Sequence, residues 1–153
     1  MDLILWRHAE ALEMREVVDD LDRALTPKGE RQAQRVATWL NRQLPASTRV
    51  LASPARRAQQ TAAALDRKFK TLATLGPEGT VELLLHAVRW PDAREPVLVV
   101  GHQPTLGLAA AYLLAGQAQP WTVRKGALWW LRVREREGVL QVVLHAAVSP
   151  ELV

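Results

Sequence analysis

The sequence has 153 residues, 48% of them hydrophobic and 24% charged, which excludes a chain that is disordered throughout. It contains no cysteine, which excludes disulfides, thiolate metal sites and a cysteine nucleophile. Lys and Arg exceed Asp and Glu by 20 to 16, and this small excess favours an anionic substrate over a nucleic acid. We expect one domain over residues 1–153 in a cytoplasmic setting, because no signal peptide or membrane-spanning apolar run is present.

The first half of the chain is predicted to contain two strand–helix units. Residues 2–6 form a mostly apolar strand, and an acid-rich loop follows over residues 11–25. Thr26-Pro27 begins a helix, because Thr is a good N-cap and Pro fits the first helical position. Residues 49–52 form the second strand, and Ser53-Pro54 repeats the same pattern of a cap followed by proline.

The second half continues the alternation and ends in a hairpin. The expected elements are a short strand at 70–75, a helix at 78–89, a buried strand at 96–100, a helix from Pro104 to Gly116, and strands at 127–134 and 139–148 joined at Glu137-Gly138. This order predicts a three-layer α/β/α sandwich with a mostly parallel central sheet and a C-terminal antiparallel hairpin.

Polar side chains follow three of the predicted strands. Arg7-His8 follows the first, Ser53 to Arg57 the second, and His102 the buried fourth strand. Because ligands bind beyond the carboxyl ends of parallel strands, we expect these residues to meet at one edge of the sheet. Guanidinium groups and helix N-termini bind phosphate oxygens, and so this edge is predicted to be a phosphate pocket.

A histidine in such a pocket has two plausible uses. One ring nitrogen can accept a phosphoryl group as a covalent intermediate, or a ring can bind the phosphate and move a proton. Two histidines can supply both functions without a metal. The sequence has no HExxH motif, aspartate cluster or Gly-rich phosphate loop, and so we expect no metal and no cofactor.

At these positions the sequence resembles the histidine phosphatase superfamily, also called phosphoglycerate mutase-like. The resemblance runs in order along nearly the whole chain, through Leu5 to Ala11, Leu25 to Gly29, Ser53 to Thr61, Gly101 to Pro104 and, more weakly, Lys125 to Leu128. Gln103 stands where the family pattern has asparagine.

The resemblance implies a role for each of four residues. His8 is the nucleophile that becomes phosphohistidine, and Arg7, Arg57 and His102 hold the phosphoryl group. The family arginine of the third motif falls on Arg57, whereas Arg56 lies on another face of the helix and is expected to be solvated.

In its short length the chain resembles the SixA-type members of the superfamily. Only 44 residues separate Arg57 from His102, which leaves no room for the helical lid of larger members. The resemblance therefore implies a phosphatase that acts on phosphohistidine in a partner protein, with no nucleic-acid or membrane partner. A protonated phosphohistidine leaves as neutral imidazole, and so its cleavage needs no dedicated general acid.

Three further residues are weaker candidates for substrate binding: Glu10, Glu78 and Lys125. Each is also consistent with an ordinary exposed side chain. Two alternative functions remain open at this stage. The same residues could hydrolyse small phosphate esters, or the chain could be a phosphoprotein-binding module with vestigial catalysis.

Overall fold

The computed structural model describes residues 1–153, and its centre is a six-stranded sheet. The strands are β1 (Asp2–Arg7), β2 (Arg49–Ala52), β3 (Lys70–Thr71), β4 (Val97–Gly101), β5 (Leu128–Arg136) and β6 (Val139–Val148). Their order across the sheet is β3-β2-β4-β1-β5-β6. The first four are mutually parallel, whereas β5 pairs antiparallel with β1 and with β6. The predicted parallel sheet with a C-terminal hairpin is confirmed.

Helices cover both faces of this sheet. They are α1 (Pro27–Gln43), α2 (Arg56–Ala63), α3 (Val81–Ala87) and α4 (Thr105–Ala115). Alternate β1 residues point to opposite faces, so that Ile4 and Trp6 pack with α1 and α2, while Leu3 and Leu5 pack with α3 and α4. The strand β4 is buried along its whole length, as its continuous apolar sequence predicts.

The start of α1 follows the predicted capping pattern. The Thr26 hydroxyl accepts a hydrogen bond from the Gly29 amide at 3.0 Å, and Pro27 is the first helical residue. Gly29 packs directly on the Glu10 carbonyl: a Cβ at position 29 would lie 1.9 Å from that oxygen. Glycine is therefore required here for α1 to lie against the loop that follows β1.

The second helix begins later than the sequence predicts. Ser53-Pro54 was expected to open it, but α2 starts at Arg56 with Ala55 as its N-cap and ends at Ala63. The expected strand at 70–75 is only the two residues of β3, followed by a 3₁₀ turn at Ala73–Leu75. Ser53 does not cap α2, because its hydroxyl contacts the His102 ring and the Ala55 amide instead.

The hairpin turn lies where it was expected. Glu137 and Gly138 join β5 to β6 with φ angles of 53° and 78°, the left-handed values of a two-residue hairpin turn. A register shift occurs between Trp130 and Leu131. No helix in the structure is long and apolar enough to cross a membrane.

Candidate active site

The residues that follow the parallel strands meet at one edge of the sheet. Arg7 lies opposite Gly101 in the β1–β4 ladder, and so His8 and His102 leave neighbouring strands side by side. Their ring centroids are 5.1 Å apart. Arg57 lies in the first turn of α2, and like both histidines it is no more than 5% exposed. The structure thus brings together Arg7, His8, Arg57 and His102.

The His8 ring has a defined tautomer. Its Nδ1 lies 2.8 Å from the Ala9 carbonyl oxygen, which can only accept a hydrogen bond. Nδ1 therefore carries the proton, and Nε2 keeps its lone pair. Burial, more than the Ala9 contact or the charges of His102, Arg57 and Arg7, sets the pKa of His8, which is lowered to about 3. The ring is therefore neutral across the physiological pH range.

The backbone on both sides of His8 is also held. The His8 amide donates to the Gly101 carbonyl at 3.1 Å, and the His8 carbonyl accepts from the Gly126 amide at 3.1 Å. The ring is therefore attached to β4 on one side and to the segment before β5 on the other, which fixes its position.

His102 is held by the serine that was expected to cap α2. Its Nε2 lies 2.7 Å from the Ser53 hydroxyl oxygen, which also accepts a hydrogen bond from the Ala55 amide. Burial first, and then the positive charge of Arg57, lowers the pKa of His102 to about 4. His102 Nδ1 is buried and has no hydrogen-bond partner in the protein.

Two residues of the motif after β2 connect the surrounding loops. The Gln60 side chain accepts a hydrogen bond from the Leu25 amide at 2.7 Å. Thr61 accepts from the Ala9 amide at 3.1 Å and donates to the Arg57 carbonyl at 2.8 Å. These contacts explain why the resemblance extends beyond Arg57: α2 fixes the loop after β1 and the start of the Leu25 motif.

Two guanidinium groups lie at this edge, that of Arg57 buried and that of Arg7 half-buried. Arg7 donates to the Val123 carbonyl at 3.1 Å, while the Nε atoms of both arginines are buried without a partner in the protein. Arg56 points outward, as expected: its side chain is 53% exposed and lies 3.7 Å from an Asp22 oxygen. We use the name oxyanion clamp for Arg7, Arg57 and His102, after the role that the family resemblance implies for them.

The acid-rich segment after β1 contributes two residues that sequence reasoning missed. Residues Asp20–Asp22 form a short 3₁₀ turn, and Asp20 contacts Arg57 through its backbone carbonyl at 2.8 Å and its carboxylate at 3.2 Å. Arg23 contacts the other carboxylate oxygen of Asp20 at 3.1 Å. Burial raises the pKa of Asp20, but the two arginines outweigh it and hold that pKa below its usual value.

The available signal for these residues was the sequence Asp20-Leu21-Asp22-Arg23, which only Ala24 separates from the Leu25 motif. The prediction of an acid-rich loop did not reveal the antiparallel bridge between Ala11 and Leu25, which returns this segment to the site.

The three weaker candidates lie around the clamp rather than in it. Glu10 accepts a hydrogen bond from the Thr26 hydroxyl at 2.7 Å and lines a groove beside Arg7, which Lys125 also lines. Glu78 is exposed and lines a second groove of about 480 Å³, on the side of Asp20 and Pro54.

Gln103 has a structural function that an asparagine would be too short to copy. Its side-chain amide donates to the Trp121 carbonyl at 2.8 Å and accepts from the Gly107 amide at 2.7 Å. Gly107 allows this approach, since a Cβ there would lie 1.7 Å from the Trp121 carbonyl oxygen. The departure at Gln103 therefore fixes the segment before β5 onto α4.

Comparison with known proteins agrees with this geometry. The sequence model of the histidine phosphatase superfamily, branch 1, matches residues 3–78. The phosphohistidine phosphatase SixA of Escherichia coli strain K12 is 32% identical over 129 residues, which cover 78% of each chain. The chain belongs to the histidine phosphatase superfamily.

Two further relatives are similar to this phosphatase over most of its length. A protein of Picosynechococcus sp. with no described function is 36% identical over 126 residues, which cover 76% of this chain and 75% of that protein. The solved structure of the protein histidine phosphatase SixA complexed with tungstate has 27% identity and a TM-score of 0.78, and covers 99% of both chains. The short SixA-like form of the fold is confirmed over its full length.

Proposed function

We propose that this phosphatase removes phosphate from phosphohistidine in proteins through a covalent intermediate on His8 Nε2. The observation that supports this most strongly is the buried, neutral His8 ring, whose Nδ1 proton is fixed by Ala9 and whose Nε2 lone pair remains free. It lies beside the guanidinium groups of Arg57, which is buried, and of Arg7, which is half-buried, and beside a second buried histidine. These are the chemical groups that phosphoryl transfer needs.

In the first step, the His8 Nε2 lone pair attacks phosphorus and forms a new P–N bond. The P–N bond of the substrate breaks, and its electron pair returns to the substrate imidazole. If the substrate ring is already protonated on its other nitrogen, it leaves as neutral imidazole and no further proton is needed. Arg7, Arg57 and His102 bind the equatorial oxygens while their charge grows.

In the second step, water attacks phosphorus in line with the His8 P–N bond. That bond breaks, its electron pair returns to Nε2, and the proton released by water passes to the departing inorganic phosphate. The neutral His8 ring is thereby restored. Neither step uses a metal ion, and no group of three or more metal-ligating side chains is close enough together to hold one.

The oxyanion clamp has unused donors that a phosphoryl group would engage. Arg7 Nε, Arg57 Nε and His102 Nδ1 are buried without protein partners. If the Ser53 hydroxyl donates to His102 Nε2, then Nδ1 carries a proton for the anion. The tungstate complex of the similar SixA structure supports this interpretation, since tungstate is a tetrahedral oxyanion like phosphate.

The surroundings of the clamp support a side chain on a protein as the substrate. The groove of about 480 Å³ lies between the Asp20 turn and the 73–79 loop. Thr74, Gly76 and Gly79 also line a smaller cavity that reaches His102, and so the groove leads toward the clamp. No helical subdomain covers it, because β3, α3 and β4 account for the chain between α2 and His102.

Substrate choice tests the proposal. We expect kcat/KM to fall steeply from phosphohistidine to aryl phosphates and then to alkyl phosphates such as phosphoserine, since no dedicated acid protonates a poor leaving group. EDTA should not change any of these rates. A preference of several orders of magnitude for phosphoglycerate or another sugar phosphate would overturn the phosphohistidine assignment.

The alternative substrate class is a small phosphate ester at the same residues. Glu78 favours it, because its carboxyl lines the groove beside the clamp and could act as a general acid. Glu78→Gln should then reduce ester hydrolysis far more than phosphohistidine hydrolysis, with the exposed Glu82→Gln as its matched control. A binding module is disfavoured, because binding alone does not require a neutral nucleophile in the clamp.

A further inference from the structure

A cationic groove begins at Arg7 and runs away from the clamp along α1. We define the basic groove by the charged residues that line its two connected parts, namely Arg7, Glu10, Lys28, Arg31, Arg35, Arg124, Lys125 and Glu151. Lys28, Gln32 and Glu151 line both parts, and so they form one continuous surface.

The net charge of the protein is concentrated in this groove. Its six cations and two carboxylates carry a net charge of +4, which equals the net charge of the whole chain. The remaining 14 cations and 14 acids cancel. The weakly basic composition is therefore a local property of the surface beside the active site.

The groove cations are also free to bind a partner. Lys28, Arg31 and Arg35 share one face of α1 at helical spacing, and Arg124 and Lys125 precede β5. All five are exposed, and none forms an ion pair or a side-chain hydrogen bond. By contrast, the arginines around the Asp20 turn are paired with aspartates.

The opposite flank of the clamp has the opposite charge. The groove of about 480 Å³ is lined by Asp19, Asp20 and Glu78 and by no cationic side chain. An acidic partner would be attracted to the Arg7 side and repelled from the Asp20 side. The two flanks therefore select both the partner and its orientation.

We propose that the basic groove binds an acidic surface next to the phosphohistidine of the substrate protein. The inference rests on the proposed function, because the groove opens at Arg7 and its occupant must place a phosphoryl group in the clamp. A protein is favoured over single-stranded nucleic acid, since no aromatic side chain lines the groove to stack with bases.

Synthetic phosphohistidine peptides of equal length test the groove. In one peptide glutamates flank the phosphohistidine, and in the other lysines do. At about 20 mM salt we expect kcat/KM at least about tenfold higher for the glutamate peptide, and a much smaller ratio at about 0.5 M salt. The double variant Arg31→Glu/Arg35→Glu should remove this preference and leave hydrolysis of an aryl phosphate unchanged.

The matched control is Lys68→Glu/Lys70→Glu, which changes the net charge equally at exposed positions near and in β3. It should keep the preference for glutamate. Equal loss in both double variants would show a non-specific charge effect and overturn the proposal, as would a wild-type enzyme without any preference.

A binding experiment tests this inference independently of the proposed function. With the His8→Ala variant, fluorescence anisotropy of the unphosphorylated glutamate peptide should show binding that Arg31→Glu/Arg35→Glu weakens about tenfold. This result would support the groove even if phosphohistidine were not hydrolysed. Tighter binding of a single-stranded RNA of equal charge would instead assign the groove to nucleic acid and overturn the choice of partner.

Discussion

The clamp and its rim are built by different means. Arg57 and His102 of the clamp, and His8 beside them, are almost completely buried and are held by short hydrogen bonds to the loops that adjoin the sheet. Around them, Asp20 is half-exposed, and Glu78 and the groove cations of α1 and of the segment before β5 are exposed on loops or helix surfaces. The difference indicates that the buried part of the site carries the chemistry we propose, while the rim can change to suit the substrate.

Replacing His8 gives the sharpest test of the buried part. His8→Ala should reduce turnover by several orders of magnitude, because it removes the proposed nucleophile. Acid-labile phosphate should be trapped on the wild type during turnover and not on the variant. His86→Ala is the matched control, since His86 is exposed on α3 and is not one of the proposed site residues. Wild-type activity in His8→Ala, with an unchanged circular dichroism spectrum, would remove His8 from this role.

Arg56 and Arg57 are adjacent in the sequence, and so replacing each of them by alanine compares the rim of the site with the clamp. Arg57→Ala should weaken tungstate or vanadate binding by about 10- to 100-fold, since a charge-assisted hydrogen bond contributes about 1.5–3 kcal/mol. Arg56→Ala should change the dissociation constant less than about twofold, because exposed ion pairs contribute little. Isothermal titration would measure both, and the reverse ranking would mean that the wrong arginine has been assigned to the clamp.

The two buried histidines should make stability depend on pH. Their folded pKa values are about 3 and about 4, below the ordinary value of 6.5, so the unfolded chain binds more protons as the pH falls. The full stability is present above pH 6.5 and decreases below it, by about 2 kcal/mol per histidine between pH 7 and pH 5. Urea denaturation of His8→Asn and His102→Asn should each show a correspondingly smaller decrease.

The Asp20 carboxylate contacts Arg57 at the rim of the site, and replacing it should have the smallest effect on function. Asp20→Asn removes a negative charge beside the clamp but keeps the backbone carbonyl that accepts from Arg57. Oxyanion binding should therefore tighten by about threefold, since the exposed carboxylate no longer competes for the guanidinium. Asp22→Asn, which removes the partner of Arg56, should leave the affinity unchanged. A loss of affinity in Asp20→Asn would show that the carboxylate positions Arg57 rather than competing with the anion.

The sequence predicted that Arg7-His8 and His102 would meet, because these residues lie at or directly after the ends of apolar strands. Parallel pairing then brings Arg7-His8 and His102 to one edge, and the α1 cap at Thr26 is equally local. The contacts of Ser53 and Asp20 could not be predicted, for the opposite reason. Their partners, His102 and Arg57, lie 49 and 37 residues away, and no periodicity in the sequence records such contacts.

The pairing of β1 with β4 has a kinetic consequence. Because Arg7 lies opposite Gly101, the two histidines leave the sheet at the same level, and their separation of 5.1 Å is close to the strand spacing of about 4.8 Å. The backbone ladder therefore sets the distance between the proposed nucleophile and the second ring. No closing motion is needed to bring the rings together. The free energy required to organise them is supplied during folding and not in every catalytic cycle.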